Sequence, residues 1–132
     1  MLLNSEPISE DFGHLALRLG FGGTMLWQHG WPKLMQFSER MDDFADPLGI
    51  GPFLSLALIV LAEVLCAALI TLGMWTRIAS VPLIFAMAVA VFMVHGDDPF
   101  PNKEKAVLYL VGYVVILFSG SGRFAINRLS FN

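Results

Sequence analysis

The sequence predicts an all-α, polytopic membrane protein: an antiparallel bundle of four transmembrane helices, with a short interfacial amphipathic helix between spans one and two. Three observations predict it. The 132 residues are 56% hydrophobic and 14% charged, at a mean hydropathy of +0.67, against about 45–50% apolar and about 25% charged in soluble chains. Four apolar runs come near the roughly 20 helical residues that cross a hydrocarbon layer about 30 Å thick. A soluble domain of this length would have to hide all four in one small core, which lacks the interior for them. Residues 1–132 therefore read as a single membrane domain.

The first span is expected over residues 12–31. Ser9 precedes it as a cap, and Glu10 and Asp11 put negative charge at the positive end of the helix dipole. The second, over 52–74, opens on Pro52, whose missing N–H is harmless in a first turn, and stops at Gly73. The third, over 77–95, is uncharged from Ile78 to Val94, and Pro82 near its start is expected to bend it slightly. The fourth, over 105–119, is the shortest and ends at Gly120-Ser121-Gly122. Backbone groups that face lipid must be paired within their own segment, so these runs are helices and not open strands.

The connections follow from the same reading. Between spans two and three only Trp75 and Thr76 remain, which forces an antiparallel hairpin with Trp75 at the interface, a place that also suits Trp27 and Trp31. Between spans one and two, Phe37, Met41, Phe44 and Leu48 recur at helical spacing, opposite Glu39, Arg40, Asp42 and Asp43. That pattern predicts an amphipathic helix over 34–48, lying in the interface. Residues 97–102, with Pro99 and Pro101, read as an irregular loop. Four spans put both termini on one side, with Arg77, Arg123 and Arg128; Lys33, Arg40, Lys103 and Lys105 fall on the other, and the termini are expected inside. The first residues lack the basic region of a secretory signal and are expected to stay in the mature chain.

The net charge of −3 makes nucleic acid an unexpected partner. Cys66 is the one cysteine, which excludes an internal disulfide and any relay that needs two thiols. An ionised group inside a bilayer costs roughly 2.5–3.5 kcal/mol, so Arg18 and Glu63, each within a span, call for a partner or a task. The helical rise puts Arg18 about 9 Å inside span one and Glu63 about 16 Å from the same face in span two, within reach of a guanidinium. On a structural reading the two are a buried pair that fixes helix register. On a functional reading they line a cavity for a polar headgroup, and Glu63 becomes a proton site if its arginine moves away.

A second cluster is expected at the opposite end, where His29, Lys33, His95, Asp97 and Asp98 can surround a shallow polar pocket beneath the amphipathic helix. Solvated interface residues are the plain alternative. No HxxxH or HxxE spacing supports a metal, and none is expected. Gly20, Gly22 and Gly23 with Thr24 suit close helix packing, and Cys66, one turn from Glu63, reads as a small apolar residue.

Several short stretches occur in a familiar order around the four spans. They are Leu17-Arg18-Leu19-Gly20, His29-Gly30-Trp31-Pro32-Lys33-Leu34, Ala62-Glu63-Val64-Leu65 and Leu72-Gly73-Met74-Trp75-Thr76-Arg77, then Val94-His95-Gly96 and Gly120-Ser121-Gly122-Arg123-Phe124-Ala125-Ile126. On these the chain resembles the DoxX family of small bacterial membrane proteins over residues 15–129. The resemblance implies a four-helix bundle in the bacterial inner membrane. It also implies Arg18, Lys33, Glu63 and His95 as pocket residues, and a role like that of membrane subunits in quinone-coupled sulfur oxidation or oxidative-stress complexes.

The chain carries no thiol pair, no recognisable cofactor ligands and no appended soluble domain, so it is not expected to be a complete enzyme. The leading expectation is a membrane subunit or anchor that binds a quinone or lipid-like molecule and works with an oxidoreductase partner, with a homo-oligomer also open. The alternatives are a small-solute or proton transporter using Glu63, and a structural membrane protein without a ligand.

Overall fold

The computed structural model describes residues 3–125, so Ile126 and Arg128, both used above, lie outside the described residues. Within them five helices and no strand are found. Helix α1 covers residues 10–35, α2 is Phe37–Arg40, α3 is Pro52–Leu72, α4 is Thr76–Val94 and α5 is Phe100–Ser119. Two of them, α3 at 21 residues and α4 at 19, are long and apolar enough to cross a membrane.

Each start and stop has a local cause. The Ser9 side chain accepts from the Phe12 amide at 3.3 Å, capping α1 as expected. Gly73, with φ +79, ends α3 in the left-handed conformation that glycine adopts without a Cβ clash. Trp75 follows at φ 49, an uncommon conformation for a bulky residue, and α4 begins on the next residue. Pro82 sits inside α4 without ending it. Helix α5 begins at Phe100, earlier than the expected 105, because Pro101 falls in the first turn, where no N–H is needed.

The amphipathic helix expected over 34–48 is much shorter. Helix α1 runs on to residue 35, a break at Gln36 (φ −106) follows, and α2 spans only Phe37–Arg40. Beyond it Asp46 takes over the local hydrogen bonding, accepting from the Ile50 amide at 2.9 Å, the Gly51 amide at 2.8 Å and the Ser55 hydroxyl at 2.9 Å. A side chain that captures backbone donors in this way competes with a helix, and Pro47 supplies no N–H to continue one. The result is a folded loop tied to the first turn of α3 through Ser55.

Helices α1 and α3 run antiparallel in close contact, and glycines set their register. A Cβ at Gly22 would come 2.7 Å from Thr71 Oγ1 and 3.1 Å from the Ala67 carbonyl, and one at Gly30 would collide with the Glu63 carbonyl. Gly20 and Gly23 face open space, so the close packing expected of the trio belongs to Gly22 alone. On α5, Gly112 lets the Phe21 ring lie against the backbone, and the Tyr113 hydroxyl donates to the Phe21 carbonyl at 3.0 Å. Met25, Ala67, Ile70, Leu83, Tyr113 and Ile116 fill the centre. Apolar side chains also cover much of the outside: Leu54, Leu58, Leu61 and Leu65 along α3, Ile78, Phe85 and Phe92 along α4, and Leu108, Val111, Val115 and Phe118 along α5.

Candidate functional site

A cavity of about 550 Å³ opens between α3, α4 and the loop after α2. Its walls are mostly apolar, formed by residues such as Leu58, Ile59, Phe85 and Ala86, with Phe44, Pro47, Leu48 and Ile50 contributed by the loop. Lys33, Glu63 and His95 also line it. Helix α1 delivers Lys33 in its last turn, and the close approach at Gly30 brings that turn against the middle of α3. Lys33 Nζ therefore meets Glu63 Oε1 at 2.7 Å, both side chains largely hidden, at 17% and 4% exposure. Charge-assisted hydrogen bonds of this length are among the strong ones, and burial makes each partner dependent on the other. His95 closes α4 with its Nδ1 2.8 Å from Asp98 Oδ2, a contact that orients the ring.

The expected Arg18–Glu63 pair is not formed. Arg18 is buried at 1% exposure at the other end of the helix pair, where Nη1 donates to the Thr71 carbonyl at 3.1 Å and Nη2 to the Phe124 carbonyl. Thr71 lies about 12 Å along α3 from Glu63, using the rise per residue. The register locked at Gly22 and Gly30 is the cause: it sets Arg18 beside Gly73, at the carbonyl-rich and electronegative end of α3.

Of the residues expected to gather at the far end, Lys33 and His95 share the cavity and Glu63 joins them; His29 and Arg18 do not line it. His29 stands edge-on to the Tyr109 ring of α5, with centroids 5.5 Å apart. Arg18–Gly23 and Met25–Gly30 carry wider i→i+5 turns that take in extra residues, so positions along α1 shift off the face that a regular α-helix would give them. Sequence reasoning missed Tyr109 and Tyr113, stacked at 6.0 Å within the core. Two hydroxyl-bearing rings one turn apart in the uncharged run over residues 106–119 are the available signal. It also missed Asp46, which holds the loop wall of the cavity. Desolvation works against the Asp46 carboxylate, but hydrogen bonds from Ser55, Gly51 and Ile50 outweigh it and keep its pKa below the ordinary value. Among the described residues no cluster of three or more His, Cys, Asp or Glu could hold a metal ion.

Residues 13–96 match the DoxX family. The chain belongs to the DoxX family. An uncharacterized protein of Haemophilus influenzae is 32% identical to it over 110 residues, covering 78% of this chain and 80% of the relative. No solved structure matches. The part of this DoxX chain that matches the family contains Lys33, Glu63 and His95 together with the loop and both helices that enclose the cavity, whereas α5 lies beyond it.

Proposed function

We propose that this DoxX-family chain is a membrane subunit that holds a quinone or lipid-like molecule in the cavity beside Lys33, Glu63 and His95, and that it works with an oxidoreductase partner in the bacterial inner membrane. One observation carries the reading: a mostly apolar cavity of about 550 Å³ with the Lys33–Glu63 pair and His95 in its wall. That volume and that mix of apolar wall and few polar groups suit a small amphipathic ligand. The ring or chain would lie along Leu58, Ile59 and Phe85. The Lys33 ammonium can donate to a carbonyl oxygen, and Glu63 and His95 can hold a proton next to it. With one cysteine and no recognisable redox ligands in the chain, electrons come from the partner.

The same proposal places all four long helices across the bilayer, with the termini inside. It is supported by the outward apolar rows on α5 and by exposed Leu19 and Trp27 on α1, which continue those on α3 and α4. The test is purification from native membranes in mild detergent, followed by extraction and quantification of quinone. Retained quinone that is lost in Lys33→Ala and Glu63→Gln is expected. Protein that neither retains nor binds any quinone, and brings no oxidoreductase with it, overturns the proposal. A pH-dependent flux in proteoliposomes that Glu63→Gln abolishes would favour the transporter reading instead.

A further inference from the structure

A second cavity, about 520 Å³, lies at the opposite end of the bundle, where the α3–α4 turn meets the end of α5. It is lined by Asp11, His14, Thr76, Arg77, Ser121 and Arg123 among others, and it plays no part in the function proposed above. We propose that it binds a phosphate-bearing anion, carried by an anionic phospholipid headgroup or free in solution.

The charges make the case. Between Glu63 and Asp97, and again after Glu104, the sequence contains no acid. Two of the three segments that build this cavity, the α3–α4 turn with the start of α4 and the end of α5, therefore contribute Arg77 and Arg123 without carboxylates of their own, while α1 brings Asp11. Among the described residues neither guanidinium has an ion-pair partner, and both are exposed. The acid that lines the cavity, Asp11, accepts from the Arg123 backbone amide at 3.1 Å, which positions Arg123 at the rim.

The neutral groups add donors. Helix α4 starts at Thr76, so the first amides of a 19-residue helix, with their positive dipole end, open on the cavity. Ser121 donates its hydroxyl to Thr76 Oγ1 at 2.7 Å, which leaves the threonine hydroxyl proton available. His14 lines the wall with a buried Nδ1 that has no partner, beneath Gly122, where a Cβ would come 2.8 Å from that nitrogen. Two arginines, a helix start and a hydroxyl converge on one space, with the His14 ring in its wall. Phosphate oxygens match this set, because guanidinium forks bind them in bidentate fashion.

The experiment uses the full chain in a neutral detergent. Native mass spectrometry measures adducts of phosphatidylglycerol and, for contrast, phosphatidylcholine of the same chains, and calorimetry measures inorganic phosphate alone. Saturable binding of phosphatidylglycerol or of phosphate is expected, and which of them binds identifies the source of the anion. Arg77→Gln with Arg123→Gln should weaken it at least about ten-fold, the loss of two charge-assisted contacts, whereas Arg40→Gln on α2 should not change it. Should the double variant fail to fold, binding by the parent chain must still fall steeply between about 0.05 and about 0.5 M salt. Absence of binding by both probes, or equal binding by the folded double variant, overturns the proposal.

Discussion

Lys33 and Glu63, thirty residues apart in the sequence, meet at 2.7 Å in the wall of the larger cavity, and the contact joins the last turn of α1 to the middle of α3. Removal of one partner leaves the other buried and uncompensated. Lys33→Leu is therefore expected to destabilise the fold by about 3–5 kcal/mol, while Lys33→Leu combined with Glu63→Leu recovers most of that, since an apolar pair needs no desolvation. Thermal unfolding of the three proteins in one detergent checks the order; a double variant no more stable than the single one would contradict it.

The register of α1 on α3 depends on two positions that cannot carry a Cβ. Gly22→Ala places its methyl 2.7 Å from Thr71 Oγ1, and Gly30→Ala drives one into the Glu63 carbonyl. Both should lower the unfolding temperature, and Gly30→Ala should also separate Lys33 from Glu63. Gly23→Ala meets nothing within 4 Å and should raise stability by roughly 0.5–1 kcal/mol, the usual helical gain over glycine.

Arg18 holds the end of α3 and residue 124 together through the Thr71 and Phe124 carbonyls. Lysine lacks the fork that reaches both, so Arg18→Lys is not conservative here. A loss of about 1.5–3 kcal/mol is expected, the range for one hydrogen bond to a charged group. Faster proteolysis after Gly120 in the variant, with the loop after α2 unaffected, would confirm where the loss acts.

The loop that walls the larger cavity should loosen in acid. The folded pKa of Asp46 is depressed below 3.8, so its stabilising contribution is fully present above that ordinary value and is lost as pH falls through the lowered native one. Hydrogen exchange at the Ile50 and Gly51 amides, corrected for the intrinsic pH dependence, should show protection that collapses over this acid window. In Asp46→Ala protection should be weak at every pH; unchanged protection there would remove Asp46 from its role.

The helices were legible because their causes are local. The apolar run from Pro52 to Leu72, the stop at Gly73 and the cap at Ser9 need only neighbouring residues to be read. The loop over 41–51 was misread because Phe37, Met41, Phe44 and Leu48 carry a helical period, while Asp46 prefers the backbone amides that follow it. Glu63 was recognised as a residue needing a partner, and Lys33 and His95 as pocket residues. The pairing of Lys33 with Glu63 is not legible in the sequence, since helical rise alone assigns Glu63 to Arg18.

By itself, the sequence determined that this is an all-helical chain of the DoxX family, with helices long and apolar enough to cross a membrane and few ionised groups among them, because hydropathy and helical rise are properties of each segment alone. The tertiary structure decided which ionised group meets which. Helical rise alone puts Arg18 within reach of Glu63, and the structure gives Glu63 to Lys33. The choice fell to the depth at which two backbones come into contact at Gly22 and Gly30, and one helix cannot specify that depth without the other.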